Sequence, residues 1–71
     1  MNTQIKREWL IKKREAKGLS QEEVAKQCGS TQTTICAIEL GSRRPSVKLA
    51  KQLANLLEFN WVIFYEEMCN N

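Results

Sequence analysis

Residues 20–41 carry the pattern that most restricts the fold of this 71-residue chain, because they contain start and stop signals for two short helices. Ser20 followed three residues later by Glu23 is a capping box, in which each side chain bonds the other residue's backbone amide. A helix is therefore predicted to begin at Gln21. Gly29 can adopt the left-handed conformation that ends this helix without a steric penalty.

A second helix is predicted directly after this turn. Thr31 can cap it, Ile35 and Ile38 recur at the spacing of one buried face, and Gly41 can end it. Short or amide-bearing side chains on the opposite face suit a helix that enters the DNA major groove. For a lone helix, a merely solvated polar face would be the simpler interpretation, but the two-helix pattern favours DNA reading. The residues of this outer face are Gln32, Thr33, Cys36 and Ala37.

A longer run of residues is typical of one family. It comprises residues 14–25 and the later segment Glu39-x-Gly41-x-x-x-Pro45-Ser46. The positions that match the characteristic residues of the motif in order are Gln21, Ala25, Gly29, Ile35 and Ile38. With these matches, residues 10–66 resemble the DNA-binding domain of the phage-repressor and Cro-like (Xre) helix-turn-helix family. The resemblance implies an all-α fold, a compact five-helix bundle of lambda-repressor-like type, with the helix-turn-helix at helices 2 and 3.

The remaining helices are predicted from their end signals. Gly18 can end the first helix, Ser46 can cap the fourth, and Asn60 can cap the last. Trp9 of the first helix is expected to pack against the C-terminal segment. The buried face expected for the fourth helix is Val47, Ala50, Leu53, Ala54 and Leu57. The predicted helices cover about residues 4–17, 21–28, 32–40, 47–57 and 61–67 of a single domain, residues 1–71.

Composition limits the possible functions. Lysine and arginine outnumber aspartate and glutamate by 11 to 8, which gives a net charge of +3 and is only weak support for nucleic-acid binding. There are three cysteines without Cys-x-x-Cys spacing and no histidine, so neither a zinc site nor a disulfide framework is expected. No nucleophile pattern or phosphate-binding glycine loop is present, so we expect no enzyme activity and no cofactor.

The sequence also indicates where in the cell the protein is expected. The sequence has no signal-peptide pattern and no apolar run near the roughly 18 residues that a membrane span requires. We therefore expect a protein of the reducing cytoplasm with no membrane contact, and the resemblance implies a bacterial or phage-encoded one.

The outer face of helix 3 supplies the residues expected to contact bases. The Gln32 amide could make paired hydrogen bonds to adenine, and the methyl groups of Thr33 and Ala37 could touch thymine. Ser30 and Thr31 lie in the turn, where their hydroxyls can donate to DNA phosphates as well as cap the helix.

The resemblance implies further contacts. Gln21 matches a family position at the start of helix 2 that contacts phosphate, and Arg43 and Arg44 match the basic loop that binds phosphate after helix 3. Arg14 and Glu39 match a structural ion pair, which excludes Arg14 from DNA contacts. Lys48 lies in the first turn of helix 4, where the helix dipole prefers an acid, and this position would fit a phosphate contact.

The C-terminal helix offers the expected dimer surface. Trp61, Ile63 and Tyr65 belong to an apolar set too large to be buried in one short helix. By resemblance, we expect a small repressor that acts as a dimer on a palindromic operator. The alternative is a protein-interaction module, an antitoxin or adaptor, that retains the fold and uses Leu40, Ile63 and Tyr65. A structural metal protein is a third possibility, which the absence of histidine disfavours.

One position departs from the family pattern. Glu58 stands where relatives have the glycine that ends helix 4. If the left-handed turn is kept there, a strain of about 1–2 kcal/mol is expected, because only glycine adopts that conformation without a Cβ penalty.

Overall fold

Short helices joined by turns make up the described part of the chain. The computed structural model describes residues 6–69, with side chains through residue 66. Within that range there are five α-helices and no strand: α1 (Glu8–Ala16), α2 (Gln21–Gln27), α3 (Gln32–Leu40), α4 (Val47–Leu57) and α5 (Ile63–Cys69). The prediction of an all-α, five-helix fold with a helix-turn-helix at α2 and α3 is confirmed.

Side-chain oxygens cap the central helices. The Glu23 backbone N–H donates to Ser20 Oγ at 3.1 Å, and the Ser20 N–H donates to Glu23 Oε1 at 2.8 Å, which completes the capping box of α2. Ser46 Oγ accepts the Leu49 N–H at 3.2 Å and caps α4. Gly41, with φ of 85°, ends α3 in the left-handed conformation.

The first helix starts later than the predicted residue 4. Residues 4 and 5 lie outside the described part, and Lys6 and Arg7 are not helical. The Arg7 backbone N–H donates to the Glu39 carbonyl at 2.8 Å, and this bond to α3 holds the chain away from the helical path. The helix ends at Ala16, one residue before the predicted end.

The second and last helices also differ from their predicted ranges. Helix α2 ends at Gln27 because Cys28 is already its C-terminal cap residue. Helix α5 begins at Ile63, two residues after the predicted start, and runs to Cys69. Asn60 Oδ1 accepts the Val62 N–H at 3.1 Å, so the asparagine forms a local turn ahead of the helix instead of its first turn.

One core joins all five helices. Its buried apolar residues are Leu10, Val24, Ala25, Cys28, Ile35, Ile38, Ala50, Leu53, Ala54, Leu57 and Phe64. Trp9 packs against Phe59 and Phe64, with ring centroids 5.1 and 5.4 Å away, which confirms its predicted contact with the C-terminal segment. The prediction that Val47 is buried was wrong: as the first residue of α4 it is 46% exposed.

Glu58 keeps the left-handed turn at the end of α4, with φ of 62° and ψ of 64°. Its carboxylate accepts a hydrogen bond from Lys17 Nζ at 2.5 Å, so the ends of α1 and α4 are linked. This hydrogen bond and the lysine charge lower the pKa of the Glu58 carboxyl.

Candidate nucleic-acid interface

The turn between α2 and α3 sets the direction of the helix expected to read DNA. Gly29 has φ of 64°, and the Ser30 N–H reaches back to the Ala25 carbonyl at 2.8 Å. A Cβ built at Gly29 would meet no atom within 4 Å, so the backbone angle and not the available space favours glycine here. Helix α2 packs on α3, and Val24, Ala25, Ile35 and Ile38 all belong to one buried core.

A buried ion pair fixes α3 against α1. Arg14 Nε donates to Glu39 Oε2 at 2.6 Å, and Arg14 Nη2 donates to Glu39 Oε1 at 3.3 Å. Arg14 Nη1 also donates to the Leu19 carbonyl at 2.9 Å. Glu39 is only 2% exposed, so its charge depends on these protein partners instead of water. The structure thus brings together the two residues of the expected ion pair.

Gln21 completes this cluster from α2. Its Nε2 donates to Glu39 Oε1 at 2.8 Å, so α1, α2 and α3 all meet at one carboxylate. The amide group has a second Nε2 hydrogen and an oxygen, and the side chain is half-buried. A phosphate contact by Gln21 stays a prediction, now for an amide whose orientation is set by Glu39.

The residues expected to contact bases lie on the side of α3 that faces away from the core. Ile35 and Ile38 are buried, whereas Gln32 and Thr33 are exposed and Ala37 is half-buried. Thr33 and Ala37 are four residues apart and therefore lie one above the other on one face. An amide and two small side chains therefore lie on this face, and base contacts by Gln32, Thr33 and Ala37 stay predictions.

The hydroxyl groups of the turn have local partners. Thr31 Oγ1 accepts the Thr34 N–H at 3.2 Å and donates to Thr34 Oγ1 at 3.0 Å, so this hydroxyl caps α3. Ser30 is half-buried beside it. Phosphate contacts by Ser30 and Thr31 stay predictions, and for Thr31 such a contact would compete with the bond to Thr34.

A cleft links the turn to the start of α4. Its lining residues are Cys28, Gly29, Ser30, Ser46, Lys48, Leu49 and Gln52. Lys48 therefore lies near Ser30 at the amino end of α4, where free backbone amides add partial positive charge. Burial raises the pKa of the Cys28 thiol, which is one of the groups that line this cleft.

The basic loop that follows α3 lies at the same end of the domain as the end of that helix. Arg43 and Arg44 are exposed. They follow Ser42 and Gly41, of which Gly41 has the left-handed conformation. The Ser42 N–H donates to the Ala37 carbonyl at 3.0 Å, so the start of the loop is tied to α3. Phosphate contacts by the two arginines stay predictions.

Arg7 is a contact residue that the sequence did not single out. Its Nη1 donates to the carbonyls of Ile38, at 2.6 Å, and Arg43, at 3.0 Å. In the sequence it is one of several basic residues near the N-terminus, and no local signal separates it from Lys6 or Lys12. Arg7 differs from these lysines in its long-range hydrogen bonds to the end of α3 and to the loop that follows it.

Among the side chains of residues 6–66, no three acidic or cysteine groups are placed so as to hold a metal ion. Within residues 6–69, no helix has the length and apolar character needed to cross a membrane.

Comparison with known proteins gives the family. A helix-turn-helix family model matches residues 10–63, which include all of α2, α3 and α4. An uncharacterized HTH-type transcriptional regulator of Bacillus subtilis strain 168, YqaF, is 45% identical over 64 residues. That match covers 90% of this chain and 84% of the relative. The resemblance found in the sequence is confirmed, and the chain belongs to the Cro-like (Xre) helix-turn-helix family of DNA-binding transcription regulators.

Proposed function

We propose that this protein is a transcriptional repressor that binds a palindromic operator as a homodimer, with α3 in the major groove. The proposal rests on the exposure of Gln32 and Thr33. They lie on α3, whose opposite side is buried in the core. A rigid helix holds its outer side chains in one register, which base recognition requires. The B. subtilis relative is itself named a transcriptional regulator.

Phosphate contacts would set the position of α3 on the duplex. We propose that Gln21, Ser30 and Thr31 approach one stretch of backbone and that Arg43 and Arg44 approach another. Lys48 joins the first group, because it shares a cleft with Ser30 at the positive end of α4. Base contacts by Gln32, Thr33 and Ala37 then supply the sequence preference.

A dimer would supply the affinity that one small domain lacks. Trp61 and Tyr65 pack edge to face, with centroids 5.3 Å apart, and both remain half-buried. Ile63 is also half-buried, and Val62 beside it is 38% exposed. An isologous contact through this part of the chain would place two copies of α3 on half-sites about 34 Å apart, on one face of the duplex. Because a regulator of this kind works where the DNA is, we also propose that the protein acts in the cytoplasm of a bacterial cell.

A protein-interaction module is the second candidate function. Leu40, at the end of α3, is 47% exposed, and exposed apolar residues are common at protein interfaces. In that case Leu40, Ile63 and Tyr65 would bind a protein partner, and Gln32 would contribute little. Substitution of Gln32 should therefore impair DNA reading, whereas substitution of Leu40 should impair binding to a protein partner.

Selection of duplexes from a random-sequence pool tests the proposal. We expect enrichment of a two-fold symmetric site and a complex that contains two protein chains by analytical ultracentrifugation. The Leu40→Ser variant should select the same site with similar affinity, because Leu40 lies outside the proposed DNA contacts. If no sequence is enriched and binding disappears at physiological salt, DNA contact is only electrostatic and the protein-interaction function is favoured.

A further inference from the structure

Arg7 joins three parts of the molecule that are distant in sequence. Its backbone N–H donates to the Glu39 carbonyl at 2.8 Å, and its Nη1 donates to the carbonyls of Ile38 and Arg43. Its guanidinium carbon lies 5.4 Å from the ring centroid of Phe64 in α5. We infer that Arg7 is a positioning residue that holds the basic loop, residues 42–44, against the end of α3. This inference rests on the proposed function for its consequence in DNA binding.

The last turn of α3 contains no positively charged residue of its own. A helix carries partial negative charge at its carboxyl end. Backbone bonds from Gly41 and Ser42 satisfy the Ile38 and Ala37 carbonyls. Arg7 adds a charged donor to this end, so it stabilises the helix terminus next to which the loop begins.

The bond to Arg43 acts on the loop itself. It fixes the carbonyl of a residue whose side chain is expected to reach a phosphate. If a loop is already ordered before binding, less conformational entropy is lost when its side chains contact the ligand. Arg7 would therefore raise DNA affinity without touching DNA, by holding the backbone that carries Arg43.

The aromatic contact fixes Arg7 in turn. Phe64 is only 1% exposed and packs against Trp9 and Phe59, so its ring is part of the core. A guanidinium over an aromatic face is attracted by the ring electrons. The loop is thereby linked through Arg7 to α5, the helix proposed for dimerisation.

Amide hydrogen exchange of the free protein tests the loop-holding role. In Arg7→Met, which keeps side-chain length but removes charge and donors, the Gly41 and Ser42 amides should exchange about 10-fold faster or more, as expected for loss of a charge-assisted hydrogen bond. The Leu53 and Ala54 amides of α4 report on global unfolding and should change less. Lys12→Met, at an exposed lysine of α1, the helix that follows Arg7, controls for the lost charge. Equal acceleration at all four amides, or none beyond the control, would overturn the inference.

DNA binding on the selected site tests the consequence. Arg7→Met should weaken DNA binding about 10-fold, because the free energy of the lost hydrogen bond then has to be supplied when the loop is ordered on DNA. The dependence of binding on salt should not change. Arg43→Ala should instead reduce the salt slope by about 0.9, as expected for one lost phosphate contact. If Arg7→Met reduces the slope in the same way, Arg7 contacts phosphate directly and the positioning role is wrong.

One further variant keeps the test decisive. Arg7→Lys retains the charge and one donor nitrogen but not the planar fork, so it should recover part of the affinity and part of the amide protection. It also replaces Arg7→Met in the comparison if that variant does not fold. A wild type that enriches no duplex would contradict the proposed function and the DNA consequence together, whereas the exchange rates decide the loop-holding role independently.

Discussion

Replacing Arg14 by methionine should strand the buried carboxylate of Glu39. The substitution keeps an unbranched side chain but removes three hydrogen bonds, two to Glu39 and one to the Leu19 carbonyl. Removal of one partner of a buried ion pair costs roughly 3–5 kcal/mol, because the other charge loses its compensation. The Arg14 side chain is 14% exposed, so we expect the lower end of that range, about 3 kcal/mol.

That loss is large for a domain of this size. At roughly 0.05–0.15 kcal/mol per residue, the free energy of unfolding is on the order of 4–11 kcal/mol. The melting temperature should fall by roughly 12 °C or more, since 1 kcal/mol corresponds to about 4–8 °C in small domains. Within residues 6–66, the Gln21 amide would then be the remaining side-chain donor to Glu39.

Urea unfolding, followed by tryptophan fluorescence, measures this change. The double variant Arg14→Met/Glu39→Met removes both charges and should regain at least about 2 kcal/mol relative to Arg14→Met, because a buried pair can be replaced by apolar side chains. Lys12→Met on the same helix should stay within about 0.5 kcal/mol of wild type. The reasoning fails if Arg14→Met loses less than about 1 kcal/mol, or if the double variant is no more stable than Arg14→Met.

Three further substitutions test separate parts of the structure. Gly29→Ala should lower the free energy of unfolding by about 1–2 kcal/mol in a urea titration, because φ of 64° is strained for alanine; an unchanged midpoint would contradict this. Glu58→Gln tests the Lys17 contact through its pH dependence. The folded-state pKa of Glu58 is lowered, so its stabilisation is present above the ordinary carboxyl pKa and is lost as pH falls through the folded value. The stability difference from wild type should therefore be largest at neutral pH and shrink in acid; a pH-independent difference would be inconsistent with this linkage. Lys48→Ala should reduce the salt slope of DNA binding by about 0.9, whereas an unchanged slope would remove Lys48 from the phosphate contacts.

The helix ends that could be predicted are those set by local chemistry. Ser20 and Glu23 are three residues apart, and the bonds between them form within one turn of chain. Gly29 and Gly41 end helices through their own backbone angles. Such signals depend on neighbours in sequence, so they can be recognised without knowledge of the rest of the fold.

The parts that could not be predicted depend on contacts between distant residues. The start of α1 follows from the bond between Arg7 and Glu39, and nothing near Arg7 in the sequence indicates it. Asn60 could cap a helix or form a local turn, because the same side-chain oxygen can accept from either of two amides. Val47 matches the spacing of the buried face, but it is the first residue of α4 and lies at the edge of the core, where its side chain stays exposed.

The candidate site also has features that the sequence could predict and features that depend on how the helices pack. The outer face of α3 could be deduced from the two buried isoleucines, since the helical period then fixes which side chains point away. The resemblance pointed to the Arg14 and Glu39 pair. The bond from Gln21 to Glu39 and the cleft shared by Ser30 and Lys48 required the packing of α2 and α4 and could not be read from spacing.

The claim that α3 reads bases is tested most directly by comparing Gln32→Ala with wild type on the selected site and on single-base variants of it. We expect Gln32→Ala to lose about 1–3 kcal/mol of discrimination at one base pair of each half-site while its salt slope stays that of wild type. Thr33→Ser, which removes one methyl group, should relax the preference at a different base pair. If Gln32→Ala keeps the wild-type preference at every position, α3 does not read the sequence and the central claim is wrong.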